Sequence, residues 1–225
     1  MKIRDAAKRA HLDTIKSHLK DSNKPSTTSL LHLVVQDFTT IKKGPQHVRA
    51  ALYLLEQGAT PVNEMIYQAS RGGHTELVKL LIDPLKTTDI HSAAAAGRSN
   101  IVDGILSSDP QQCQAIDQEG KTPLHYCCAS ALGKNDSDKA AALQYIAKAL
   151  LDAGAPINAA VTCGGLEGVT PLMHTCWTGG DLILFDLLVE SGAKPNPLAL
   201  WAAVGHFQRH GKGHYELASK LLLLG

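Results

Sequence analysis

Lys121-Thr122-Pro123-Leu124-His125 decides the fold, because the chain restates it. Val169-Thr170-Pro171-Leu172-Met173 keeps the middle of the phrase and changes its ends. Leu31-His32-Leu33-Val34-Val35 and Thr88-Asp89-Ile90-His91-Ser92-Ala93-Ala94 keep its second half. A second phrase follows, cleanest as Ala69-Ser70-Arg71-Gly72-Gly73-His74-Thr75-Glu76-Leu77-Val78-Lys79-Leu80-Leu81. A chain that repeats itself at intervals of tens of residues is built from stacked units, and such stacks present extended binding surfaces.

The local chemistry of each phrase predicts a pair of helices. Thr122 suits an N-cap, and Pro123 suits the first helical position, where no amide donor is needed. Small pairs such as Ala93-Ala94 and Cys127-Cys128 let a neighbouring helix approach closely. A glycine then breaks the helix. The second helix carries the larger apolar face, as in Tyr145-Ile146 with Ala149-Leu150-Leu151 and Leu217-Ala218 with Leu221-Leu222. Gly58, Gly154 and Gly192 read as stop signals.

These phrases resemble the ankyrin repeat family. Its consensus runs Thr-Pro-Leu-His, two small residues, two variable ones, Gly-His, an apolar helix ending Leu-Leu, then Gly-Ala and an Asn. Here the endings are Gly58-Ala59 with Asn63, Gly154-Ala155-Pro156-Ile157-Asn158 and Gly192-Ala193-Lys194-Pro195-Asn196. The resemblance extends over nearly the whole chain. It implies an all-α fold: an ankyrin-type α-solenoid of stacked helix-turn-helix units with about two β-hairpin fingers.

The slot held by His125 falls in successive units on Arg4, His32, Ile66, His91, His125, Met173 and Ala199. That gives a single repeat domain over 1–225, with units near 1–26, 27–61, 62–85, 86–116, 117–160, 161–195 and 196–225. The intervals run from 25 to 48 residues, against about 33 for a regular repeat. Two junctions are long enough for a finger, Asp109 to His125 and Gly154 to Met173. The others are expected to be tight turns. Bulges between helices are expected near Phe38–Gln46, Leu132–Lys139 and Phe207–Gly213.

Composition agrees with thin stacked helices. Of the 225 residues, 44% are hydrophobic but 4% are aromatic. No run approaches the ~18 apolar residues of a membrane span, so membrane insertion is not expected. The first residues lack the apolar segment of a secretory signal. Formal net charge is +1, yet residues 1–50 hold 10 Lys/Arg against 4 Asp/Glu. A solvated face explains that bias, and a docking patch for an acidic partner is the alternative. Nucleic acid is disfavoured, because no aromatics are interleaved with these charges. The five cysteines have neither disulfide nor zinc spacing. They read as buried and reduced, which places the chain in the cytoplasm, with the nucleus as the second location.

No pattern argues for chemistry. His206, His210 and His214 are four apart, but Gly205, Gly211 and Gly213 make this stretch read as loop, so no metal is expected. His125-Tyr126-Cys127 and His174-Thr175-Cys176 suggest a Cys/His nucleophile, but His125 aligns with Met173 and not with His174. No phosphate loop, zinc-protease, nucleophile-elbow or dinucleotide motif is present. We therefore expect no catalytic residues and no cofactor. An alternative is the targeting domain of a larger protein or enzyme, since Leu221-Leu222-Leu223-Leu224 makes a poor polar cap. A truncated C-terminus is one explanation. Further repeats, a partner or another copy are then expected to cover that end.

In such stacks the finger tips and the two residues after the small pair line the concave side. The resemblance places Lys8-Arg9, Gln36-Asp37, Arg71-Gly72, Ala95-Ala96, Ala129-Ser130, Trp177-Thr178 and Ala203-Val204 in those outward slots. It places Gln118, Glu119 and Lys121 on the first finger, and Leu166, Glu167 and Val169 on the second. Another protein is the expected partner. Trp177 is the expected anchor, and Thr178, Ala129, Ser130 and Arg71 are further expected partner contacts. Trp201 falls in a small-residue slot and is expected in the core.

Overall fold

Each pair of apolar phrases becomes a pair of antiparallel helices. The structure is a computed structural model that describes residues 2–20, 26–36, 44–85, 88–134, 136–210 and 215–224, without the side chains of 206–210. Two compact parts are distinguished, Met1–Thr88 and Asp89–Gly225, and each is an all-α, solenoid-like stack.

In the first part, α1 (Ile3–Lys8) and α2 (Leu12–His18) pair, then α3 (Thr27–Val35) with α4 (Pro45–Glu56), then α5 (Asn63–Arg71) with α6 (Thr75–Ile82). The first helices form one layer, α1 on α3 on α5, and the second helices another, α2 on α4 on α6. Ala6, Ala7, Ile15, Leu31, Val34, Ala50, Leu54, Ile66 and Leu81 are buried between the layers. Deleting one such leucine side chain typically costs about 2–5 kcal/mol.

In the second part, α7 (Ile90–Ala95) pairs with α8 (Ser99–Ser108), and α9 (Pro123–Ala129) with α10 (Ser137–Asp152). Then come α11 (Pro171–His174) with α12 (Leu182–Glu190), and α13 (Pro197–His210) with α14 (Tyr215–Leu223). Again α7, α9, α11 and α13 pack in one layer, and α8, α10, α12 and α14 in the other. Small side chains make the first layer thin. At Gly179 an added Cβ would lie 2.7 Å from the Cys128 carbonyl oxygen, so only glycine lets that backbone pass.

Carboxylates and hydroxyls close the helix starts. Asp89 accepts from the Ser92 amide at 2.7 Å, Asp136 from Lys139 at 3.1 Å, and Asp181 from Ile183 and Leu184 at 2.9 and 3.0 Å. Thr170 accepts from the Met173 amide at 3.3 Å. Thr122 is the N-cap of α9, where its N–H donates to His125 Nδ1 at 3.1 Å and its hydroxyl lies 2.9 Å from that nitrogen.

Three expectations are modified. The second finger is a β-hairpin, β1 (Val161–Cys163) antiparallel to β2 (Leu166–Val169), with Val161 opposite Val169 and Cys163 opposite Leu166. It is the one ladder among the described residues. The first finger is a turn without strands. Pro110–Gln114 winds into a 3-10 helix, and the Asp117 carboxylate takes the amides of Glu119 and Lys121 at 2.8 Å each. Too little chain remains there for a ladder. Secondly, α13 does not break at Gly205 but runs through it to His210. A glycine inside a helix costs about 1 kcal/mol, which does not end a helix held by packing. Thirdly, Ala129, Ser130, Lys121 and Val169 are buried rather than outward, for reasons given below. Of the expected bulges, Phe38–Thr40 and 41–43 lie outside the described residues, as do 135 and 211–214, and with them His214 and the slot residue Asp37.

Candidate partner-binding surface

The outward slots split into three groups. Gln118, Glu119 and Glu167 are exposed at the junction tips. Leu166, Trp177, Thr178, Arg71 and Gly72 are half-buried. Arg9 and Val204 are exposed as well, and Lys8 and Gln36 half-buried, while Ala95, Ala96, Ala129, Ser130, Ala203, Lys121 and Val169 are buried, most of them under an identifiable cover. The Lys139 ammonium donates to the carbonyls of Ala96 and Gly97 at 3.0 and 3.5 Å, so the start of α10 lies over the end of α7, where Ala95 and Ala96 are buried. A cation there also complements the helix C-terminus. The Thr178 hydroxyl donates to the Ala129 carbonyl at 2.8 Å and closes the end of α9 in the same way. Val169 lies under its own hairpin, and Lys121 folds back into an ion pair with Glu119.

One apolar feature does face out. Trp177, in the π-helical turn Thr175–Gly179 that extends α11, meets Trp201 of α13 edge to face, with ring centroids 6.2 Å apart at 79°. Trp201 is 52% exposed, and Val204 one turn on is 45% exposed. This corrects the expectation of a core Trp201. Ala199, Ala202 and Ala203 are the buried stripe of α13, at three- and four-residue spacing, and Trp201 falls beside that stripe. The second finger borders the same region: the Asn196 side-chain amide, just before α13, donates to the Gly168 carbonyl at 3.0 Å. Leu222 and Leu223 of α14 are also exposed, at 67% and 88%.

The polar interior near this surface is structural. Tyr126 is buried, its hydroxyl donating to Asp117 at 2.8 Å and its ring edge-on to His91. Burial alone would raise the Asp117 carboxyl, but hydrogen bonds from Tyr126 and the Lys121 and Glu119 amides outweigh it and hold it below its ordinary value. His125 is buried, with Nε2 3.4 Å from the Val169 carbonyl, and burial pushes its ring down to about 4.

The family model for ankyrin repeats matches three copies, over residues 65–158 and 90–199. The chain belongs to the ankyrin repeat family. Ankyrin repeats are generally protein–protein interaction modules and typically non-catalytic. The human ASB11 ankyrin repeat domain is similar in structure, 21% identical over 100% of this chain and 98% of that one, with a TM-score of 0.40. An ankyrin repeat domain from Acinetobacter baumannii is 23% identical over 85% of this chain and 98% of that one, with a TM-score of 0.36. A comparison with curated protein sequences finds no match.

Within these repeats the cysteines serve packing. Cys113, Cys127, Cys128 and Cys176 are buried thiols, and Cys163 is half-buried. Burial pushes Cys128 and Cys176 up to about 12 and raises Cys127, so these sulfurs stay protonated near neutral pH and are poor nucleophiles. Cys127 donates to the Leu143 carbonyl at 3.3 Å. Among the described residues no cluster of His, Cys, Asp or Glu is arranged to hold a metal, and no helix is long and apolar enough to cross a membrane.

Proposed function

We propose that this chain is a non-catalytic protein–protein interaction module that seats its partner against Trp177 and Trp201, between the second finger and α13. The observation that carries the reading is the tryptophan pair. Two large rings contact each other at the surface and leave one of them half in solvent. Exposed aromatic area of this kind is where interface energy concentrates. In this reading Thr178 beside Trp177 and Leu166 and Glu167 of the second finger add contacts to the partner, and Gln118 and Glu119 offer polar contacts at the first finger. The buried thiols suit a reducing compartment, and we place the chain in the cytoplasm, with the nucleus as the alternative. For a protein that binds this chain, Trp177→Ala is expected to weaken binding by about tenfold or more with an unchanged circular dichroism spectrum. Unchanged affinity would refute the anchor.

A further inference from the structure

In the first part of the chain, the turn between α1 and α2 faces the start of α4 across an open cleft of about 420 Å³. Arg9 and His11 line it from the turn, and Gln46 and Arg49 from α4. All four are exposed. Neither guanidinium has an ion pair among the described residues. Two guanidiniums without an ion pair among the described residues, one from the α1–α2 turn and one from α4, share one concavity, which is the arrangement that recognises an oxyanion by paired N–H donors.

The floor of the cleft carries a second, independent mark. Ala10 has φ +53, a left-handed conformation in which an L residue is disfavoured. The turn is the ordinary one of the repeat: the Ala10 N–H donates to Ala7 and the His11 N–H to Ala6, at 2.9 and 2.8 Å. The same closure is made by Gly73 at φ +71 and Gly97 at φ +62. Only the α1–α2 turn, among these three, keeps a methyl there. That methyl lines the cleft beside the half-buried Leu12. Strain retained at a surface concavity points to use of the surface. The result is an apolar floor between cationic walls.

We propose that this cleft docks an acidic peptide segment of a partner protein, one carboxylate held between Arg9 and Arg49 and a neighbouring apolar side chain resting on Ala10 and Leu12. Asp13 at the rim selects for this class. It repels a dianionic phosphate more than a singly charged carboxylate. Among the described residues, no Trp, Tyr or Phe lines the cleft to stack a base. His11 Nδ1 is engaged by the Thr14 hydroxyl at 3.0 Å, which fixes the ring at the wall and leaves Nε2 for the ligand. The site is independent of the tryptophan pair.

The test is fluorescence anisotropy at low salt with the full chain and a short fluorescein-labelled peptide of alternating glutamate and leucine. Saturable binding is expected. It should be lost when glutamine replaces glutamate in the probe, and weakened about tenfold by Arg9→Ala and by Arg49→Ala. Trp177→Ala should leave it unchanged, which separates this site from the groove. Circular dichroism checks that the variants remain folded, and Arg49→Gln serves if Arg9→Ala does not. Absence of saturable binding would overturn the proposal, as would retention in both arginine variants. Tighter, arginine-dependent binding of a phosphoserine version of the probe or of a single-stranded oligonucleotide would replace it with a phosphate site.

Discussion

His91 and His125 occupy the same slot in successive repeats and join their repeats onward differently. His91 is half-buried, and its Nε2 lies 3.2 Å from both the Ala115 and Lys121 carbonyls of the first junction. His125 is buried, takes the Thr122 N–H on Nδ1, and places Nε2 against Val169 at the base of the hairpin. Acceptance at Nδ1 requires the proton on Nε2, so His125 is fixed in one neutral tautomer. The first junction is a turn organised by Asp117, and the second is a ladder. One sequence slot therefore gives a solvent-facing clasp at one junction and a dry clasp at the next, and the dry one is the more costly to disturb.

The comparison breaks most directly at the rings themselves. His125→Ala removes a fully buried side chain and leaves the Thr122 amide and Val169 carbonyl without it. We expect a loss of about 3 kcal/mol or more by urea denaturation, against about 1–2 kcal/mol for His91→Ala. Equal losses would show that burial does not distinguish the two clasps.

Acid should separate them next. The folded value of about 4 for His125 lies below the ordinary 6.5, so the unfolded chain binds the proton first. The contribution is fully present above pH 6.5 and is lost as pH falls from 6.5 towards 4. The full loss is about 3 kcal/mol. A stability profile measured across that window should flatten in His125→Ala. A profile unchanged by the substitution would assign the acid sensitivity elsewhere.

Asp117 sharpens the comparison from the other junction. Asp117→Ala releases the Tyr126 hydroxyl and the Glu119 and Lys121 amides together. We expect a loss of about 1–2 kcal/mol, smaller than at His125 because the site is part-exposed. Loss of hydrogen-exchange protection at Glu119 and Lys121, with the hairpin amides unaffected, would localise the effect.

The helix pairs were legible because caps, prolines, small pairs and apolar stripes each point to the same element. The family followed from those phrases. What the sequence concealed was how connections fold over neighbours. Counting residues from Asp109 to His125 allows a hairpin, but Pro110–Gln114 takes a helical turn and Asp117 takes the next amides. Consensus slots mark Ala129 and Ser130 as outward, but Thr178 of the following repeat reaches the Ala129 carbonyl. Slot number alone puts Trp201 in the core, whereas it is 52% exposed. The alanines at 199, 202 and 203 already marked the buried face of that helix and put the tryptophan off it. Trp177 lies half-buried against Trp201, a contact that its slot gives no sign of.

The central claim is that a partner docks on the tryptophan pair, and the chain supplies its own reporter. Its two tryptophans are Trp177 and Trp201, both in that patch. Intrinsic fluorescence therefore reads the proposed interface with no contribution from other tryptophans of this chain. With a bound partner that lacks tryptophan, the account predicts a blue-shifted emission maximum and reduced acrylamide quenching. A partner that binds saturably while emission and quenching stay as in the unbound chain would contradict it.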